Sequence, residues 1–378
     1  QYCWGIYGEK YTSISACRKP MKEEGIIKVA VIGVGVVGSL VALMLRLYGF
    51  EVVGLDSQKV KSTIPIRRGD VADKDYLLSA LEDCDAVISC LPYHLTRFVV
   101  EAAFEKGIHY LDATEDIQMT NYIKDRAKDA KGVMIPQCGL APGFVGIVAS
   151  HLAQGFKTID SIKMRVGALP QNPSGKLGYA INWSIEGLVN ECIEDCDIIK
   201  EGKKQKIAAL GLLETLRING TEYEAFTTSG GLGTMAETYK DKVKNLDYKT
   251  IRYPGHCEMM LFLLDDLKMR DKRWELMKIM QEALPPCEQD KVLVYVSVTG
   301  EKNDSVQTVE FVREYGPKII NGTPYKAIAW TTAAAIVSAL QLVDQGHLPK
   351  RGFVKQEEIP YDKLEWTEYG KLYSEEEK

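Results

Sequence analysis

Residues 26–38 read IIKVAVIGVGVVG, an apolar run that ends in Gly33-x-Gly35-x-x-Gly38. The amphipathic stretch VVGSLVALMLRLYG follows, and then a second apolar run, EVVGLD, closing on Asp56. Strand, glycine turn, helix and acidic strand end stand in the order that a dinucleotide-binding βαβ unit requires. Gly33 permits the tight turn, Gly35 lets the backbone approach a pyrophosphate, and Gly38 lets the helix lie close on the strand. The pyrophosphate is expected at the amino end of the helix over 36–48, against Val36 and Val37. Free N–H groups and the helix dipole favour negative charge there. Asp56 follows Gly35 by 21 residues, the spacing at which a carboxylate bonds a ribose 2′-hydroxyl. The same carboxylate repels a 2′-phosphate, so NAD is expected over NADP. A glycine-rich turn in some other α/β fold is the alternative.

Outward from that unit, strand and helix signals alternate. IPIRRGD is followed by the helix DKDYLLSALE, strand DAVISCL (85–91), a helix around 95–106, HYLDAT (109–114), a helix near 117–130, and GVMIPQ (132–137). Near-continuous apolar strands separated by helices predict a Rossmann-type doubly wound parallel sheet, an α/β fold. Ligand then lies beyond the carboxyl ends of the strands. This places Ser57, Asp70 and the SCLPYH loop (89–94), with Cys90, Leu91 and Pro92, on the cofactor; Pro92 also reads as a simple strand stop.

The pattern changes after QCGLAPGFVGIVASHLAQGF. Strand SIKMRVGAL (161–169) leads through turn-rich PQNPSGKLGY to the helical WSIEGLVNECIED. Two hairpin-like pairs follow, the second turning at Asn219-Gly220, a strong hairpin signal. Then come a helix or loop near 231–239, YKTIRYPG, helical segments at 256–268 and 272–282, an antiparallel pair over 291–316, and a largely apolar helix over 326–345. Four divisions are expected: an N-terminal extension (1–25), a dinucleotide-binding domain (26–145), an α+β substrate and dimerisation domain with a mixed sheet (146–325), and a C-terminal helix and tail (326–378) returning to the first domain.

At 378 residues the chain exceeds the roughly 250–300 at which single cores divide, which agrees with more than one domain. Its net charge of −5, without a basic run, argues against nucleic acid or an anionic membrane as partner. No uninterrupted apolar stretch reaches the 18 or so residues of a membrane span. The nine cysteines form no C-x-x-C pair, and reduced thiols in a cytoplasmic protein are expected. The five histidines form no H-x-x-x-H pair, so no metal is indicated. Residues 1–25 lack the apolar core of a secretory signal.

Four segments are unusual together: GLAPG (139–143), GALPQNPSGKLGYAINWSIEG (167–187), EAFTTSGGLGT (224–234) and YKTIRYPGH (248–256). With the glycine fingerprint and a late GFVKQEEIP, they resemble the saccharopine dehydrogenase / lysine 6-dehydrogenase family over about residues 26–360, the lysine 6-dehydrogenase branch most of all. The resemblance implies an NAD-dependent homodimeric enzyme that oxidises the ε-amino carbon of L-lysine. Saccharopine reductases carry Asp in G-L-D-P-G and Arg in the segment matching TTSGG, where this chain has Ala141 and Ser229. Losing an Arg fork removes an anchor for a substrate carboxylate, so a smaller substrate is implied. The alternatives are a saccharopine or carboxynorspermidine type dehydrogenase acting on a secondary amine, and an NAD-binding regulator without catalysis.

Oxidation of an amine needs a neutral nitrogen, whereas a free lysine amine titrates near 10.4. His256, after the Tyr253-Pro-Gly turn, and Glu186 are the candidate bases. His256 also reads as a helix cap, and Glu186 as a helix-start carboxylate or as a counter-ion for the α-ammonium. Arg252 is the candidate anchor for the α-carboxylate, with an interdomain salt bridge as its plainer role. Trp183 and Tyr179 are expected to wall the substrate methylenes, or to be ordinary core aromatics. Asn172, Ser184 and His94 complete the expected substrate contacts; His94 reads equally as a surface residue.

Overall fold

A computed structural model describes residues 13–14, 25–60, 62–287 and 289–374. The expected extension over 1–25 therefore lies almost wholly outside the described residues. Along the chain come β1 (Ser13–Ile14), β2 (Lys28–Ile32), α1 (Val36–Tyr48), β3 (Glu51–Asp56), β4 (Ile66–Arg68), α2 (Lys74–Ala80), β5 (Ala86–Ser89), α3 (Tyr93–Lys106), β6 (His109–Asp112), α4 (Ile117–Arg126) and β7 (Val133–Ile135). There follow α5 (Phe144–Ala153), β8 (Thr158–Pro170), α6 (Ile185–Glu191), β9 (Cys196–Lys200), β10 (Lys203–Ile207), β11 (Glu214–Ile218), β12 (Thr221–Thr227), α7 (Met235–Thr238) and β13 (Val243–Arg252). The chain continues through α8 (His256–Leu261), α9 (Arg273–Ala283), β14 (Asp290–Lys302), β15 (Ser305–Tyr315), β16 (Lys318–Ile320), β17 (Thr323–Tyr325), α10 (Ala327–Asp344), β18 (Gly352–Phe353) and α11 (Tyr361–Trp366).

The first sheet is wholly parallel, in the order β18-β7-β6-β5-β2-β3-β4. Its central strands β2, β5, β6 and β7 are buried on both faces, as the continuous apolar runs require. Asp73 and Asp116 start α2 and α4, each accepting a hydrogen bond from the backbone N–H three residues on. Left-handed Gly49 and Gly107 close α1 and α3, the conformation that glycine adopts without steric cost.

The second sheet is mixed. Its path runs β10-β9-β13-β8-β14-β15, with β11 and β12 attached to the far end of β13. Only the β13–β8 pair is parallel within it. Ile162, Met164 and Val166 on β8, with Val292, Val294, Val296 and Val298 on β14, point to one face at the period of two expected of strands. That face, α5, α10, α1 and one side of the parallel sheet bury a single continuous core.

α10 is the lynchpin of this core. It has 18 residues and is long and apolar enough to cross a membrane, yet 83% of it is buried inside the protein. It touches α1 on one side and β14 on the other, and its Trp330 is fully buried, donating to the carbonyl of Gly316 at 2.8 Å. The sequence shows no single apolar stripe on α5 because most of its circumference is buried. The β16–β17 hairpin was not anticipated either, and the helix expected over 256–268 passes into a π-helical turn at Phe262–Asp266.

Beyond α10 the chain crosses back. β18 pairs with β7, and the Tyr369 hydroxyl donates to the carbonyl of Met44 in α1 at 2.7 Å. Between them the Gln356 side chain accepts from the Gly143 N–H and donates to the Leu232 carbonyl, while Glu357 accepts from the hydroxyls of Thr234 and Thr238. Gln356→Ala would leave two buried backbone groups without partners, each costing about 1–3 kcal/mol. Urea denaturation of that variant is expected to show a loss of about 2–4 kcal/mol, whereas a loss under about 0.5 kcal/mol would show that the clamp is not structural.

Candidate functional site

The glycine turn is built as a cradle. A methyl on Gly33 (φ +83°) would lie 2.8 Å from the Cys90 carbonyl, and one on Gly38 only 1.9 Å from the Gly33 carbonyl. Gly35 is different: it is exposed and has nothing within 4 Å of the same position. It is the N-cap of α1 and offers no side-chain cap, unlike Asp73, Asp116 and Ser184 on their helices. The amide groups of Val36 and Val37 thus face the open side of the turn without a capping side chain, as a bound pyrophosphate needs.

Asp56 stands beside the turn. Its two oxygens accept from the Val34 and Gln58 N–H groups at 2.8 and 2.9 Å, which fixes the carboxylate at the strand end. Ser57 and Asp70 are exposed nearby. Arg68, opposite Asp56 in the β3–β4 register, donates to the Ser57 carbonyl at 3.2 Å. Cys90, Leu91 and Pro92 lie on the loop against Gly33. These residues fit a nicotinamide dinucleotide.

Beyond the carboxyl ends of β5 and β6, His94 and Glu115 of the first domain meet α6 of the second at an acidic cleft. Behind it lies a buried polar cluster with Tyr179 as its hub. The Tyr179 hydroxyl accepts from the Trp183 indole at 3.0 Å and donates to the Asn182 side chain at 3.1 Å. Its ring lies 5.2 Å from the Arg252 guanidinium and 5.6 Å from the His256 ring. Arg252, 3% exposed, pairs with buried Glu191 at 3.0 Å and donates to the Ile251 carbonyl. Burial pushes the Glu191 carboxyl up to about 7 against the pull of Arg252.

Glu186, five residues before Glu191 on α6, faces His94 of α3 at 3.4 Å, so this contact spans the two domains. A cavity of about 170 Å³ opens beside Glu186, lined also by Tyr93, Asn190, Arg273 and Trp274. Glu115, just beyond β6, completes the group. It retains some exposure, but protein packed around its carboxyl, with Glu191, Asp116 and Glu186 close by, raises it to about 8.

The sequence-derived candidates fare unequally. Tyr179, Trp183, Glu186, Arg252, His256 and His94 come together in one cluster. Arg252 makes its salt bridge within the second domain rather than between domains. His256 is 1% exposed, stacks on Phe226, and its Nδ1 lies 2.9 Å from the Leu177 carbonyl. A carbonyl only accepts, so Nδ1 carries the proton and Nε2 is left bare and buried. Burial, with Arg252 nearby, lowers His256 to about 3, which leaves it neutral and a poor proton acceptor near pH 7.

Nor does His256 cap its helix through its ring. Glu224 accepts from the Gly255 and Cys257 N–H groups at 2.8 and 2.6 Å instead. The Ser184 hydroxyl is occupied as the N-cap of α6, accepting from the Gly187 N–H at 3.1 Å. Asn172 is exposed on the loop after β8, with no bond to the cluster. Glu115, Glu191 and Asn182 were not singled out by sequence. Only Glu115 carried a signal, its place directly after a parallel strand, where such folds hold ligand. Among the described residues no group of three His, Cys, Asp or Glu side chains is arranged to hold a metal ion.

Comparison with known proteins agrees with this architecture. A sequence model of the saccharopine dehydrogenase NADP binding domain matches residues 29–135, and one of the saccharopine dehydrogenase C-terminal domain matches residues 139–371. Saccharopine dehydrogenase [NADP(+), L-glutamate-forming] of Pyricularia oryzae is 25% identical over 67% of this chain and 57% of its own length. The mitochondrial alpha-aminoadipic semialdehyde synthase of Rattus norvegicus is 26% identical over 53% of this chain and 24% of its own. The chain thus spans about half, or less, of the length of these curated relatives. The apo saccharopine dehydrogenase (L-Glu forming) of Saccharomyces cerevisiae shares the fold, with a TM-score of 0.74 at 17% identity, over 89% of this chain and 96% of that one. With both family domains matched along nearly the whole described chain, this protein belongs to the saccharopine dehydrogenase family.

Proposed function

We propose that the protein is an NAD-dependent amino-acid dehydrogenase that oxidises a primary amine, the ε-amine of L-lysine. The observation that carries this reading is the charge of the cleft. Three carboxyl groups, Glu115, Glu186 and Glu191, converge there; Arg252 is held by Glu191, His94 faces Glu186, and Arg273 beside the cavity is held by Glu194. Such a site suits a cationic amine and repels a substrate with extra carboxylates. Ser229, buried against Glu191 and bonded to its carbonyl, adds no positive charge where a second carboxylate arm would need it.

When bound, the dinucleotide supplies the two-electron acceptor for the carbon being oxidised. The protein's residues do the rest. The turn at Gly33–Gly38 holds the pyrophosphate, and Asp56 bonds the ribose. Arg252 with Glu191 forms a fixed dipole for the amino-acid end of the substrate, and Trp183, only partly exposed, covers the methylene chain and keeps water from the reacting carbon.

Two measurements test this reading. Incubation with NAD and L-lysine is expected to produce NADH without an added aldehyde. Activity only in the reverse sense, as NAD(P)H oxidation needing both an aldehyde and an amine, would replace the reading with a secondary-amine dehydrogenase. Arg68 beside Asp56 and the NADP-dependent relatives make cofactor choice a separate question. Asp56→Asn is expected to weaken NAD about 10- to 100-fold, the value of a charge-assisted bond, and to narrow the preference over NADP. An unchanged NAD to NADP ratio by fluorescence titration would remove Asp56 from that role.

A further inference from the structure

Glu115 leaves the carboxyl end of β6, one strand over from the loop that carries Cys90. Its side chain occupies a slot between two glycines of the second domain. A methyl on Gly187 would come within 2.7 Å of Glu115 Oε1, and one on Gly230 within 2.7 Å of the Glu115 carbonyl oxygen. The groups facing it are Glu186 and Glu191 on α6, Asp116 on its own loop, and Tyr248 on β13. Glu186 is turned to His94, Glu191 to Arg252, and Asp116 to the start of α4. Among the described residues the Glu115 carboxyl has no hydrogen-bond donor and no cation. A largely enclosed carboxyl with neither a donor nor a counter-ion costs free energy unless something pairs with it.

We propose that Glu115 is the proton acceptor of the reaction, taking a proton from the substrate ammonium onto a carboxylate oxygen. The assignment rests on the amine-oxidation reading above. In the step, an N–H bond of the ammonium breaks, its electron pair stays on nitrogen, and the proton forms an O–H bond on Glu115. The carbon beside the neutral nitrogen then gives up two electrons and one hydrogen to the dinucleotide. The resulting iminium takes up water, releasing ammonium and leaving a carbonyl.

The surroundings suit Glu115 to this step better than its neighbours. A base is most effective when its proton affinity lies near the working pH, and burial among other carboxylates puts Glu115 at about 8. His256, at about 3, binds a proton too weakly, and Glu191 is held by an arginine. In the empty cleft near pH 7 this raised proton affinity favours the protonated form of Glu115. An arriving ammonium reverses that balance, because an opposite charge at contact distance favours the carboxylate. Binding therefore ionises Glu115, whose own proton passes to bulk water, and the carboxylate holds the ammonium as an ion pair before accepting its proton.

Infrared difference spectra between the wild type and Glu115→Gln, both saturated with NADH so that no oxidation occurs, read this directly. At pH 7 a protonated carboxyl stretch is expected in the wild type and absent in the variant. Adding L-lysine is expected to convert that band to a carboxylate band. In steady state the variant should keep its NADH affinity and lose about 10²–10⁴-fold in kcat, the range for removal of a general base, while Glu115→Asp should recover part of the loss. A wild type that oxidises lysine but shows no lysine-sensitive carboxyl band, or a Glu115→Gln variant within threefold of wild-type kcat, overturns the acceptor and leaves the amine-oxidation reading standing. A wild type that oxidises no amine with NAD or NADP removes both.

Discussion

The protein depends on a junction in which two sheets share one core and are tied across it by buried polar bonds. Apolar contact along α10 is strong but undirected, and on its own it would let one sheet slide on the other. Gln356 and Glu357 add direction. One side chain grips the backbone at Gly143 and Leu232, and the next grips the hydroxyls at Thr234 and Thr238. The loop they hold, SGGLGT, is the one whose Gly230 rests on Glu115. A constraint at the C-terminal end of the chain thus sets a distance in the cleft.

The electrostatics of the cleft follow from that fixed geometry. Several carboxyl groups share a poorly solvated space with one buried guanidinium, so they cannot all carry charge. Glu191 is helped by Arg252, whereas Glu115 has no such help, and the two differ accordingly, at about 7 and about 8. The empty cleft is therefore short of positive charge. Perturbed carboxyls of this kind are common at sites built for binding.

The first domain was legible in the sequence because its signals are local. The glycine turn, its strand and helix, and Asp56 lie within 29 consecutive residues, 28–56, and each demands a specific backbone shape. The clustering of Tyr179, Trp183, Arg252 and His256 was also foreseen, from aromatic and charged residues near turns. The environment of His256 was not. His256 looked like an acceptor because histidine often is one, but its environment is set by Leu177 and Phe226, which lie 79 and 30 positions away. Glu115 follows a parallel strand, but its enclosure appears only once residues 115, 187 and 230 are brought together, and no periodicity encodes that meeting. Ser184 was read for its hydroxyl without asking whether a helix start would claim it.

The two glycines that flank Glu115 restrict how this cleft can diverge. Even the smallest side chain at position 187 would collide with a carboxylate and an indole, and at position 230 with a backbone carbonyl. Those walls are closed to mutational drift. Any descendant or engineered form with a roomier cleft must change shape elsewhere than at these two glycines.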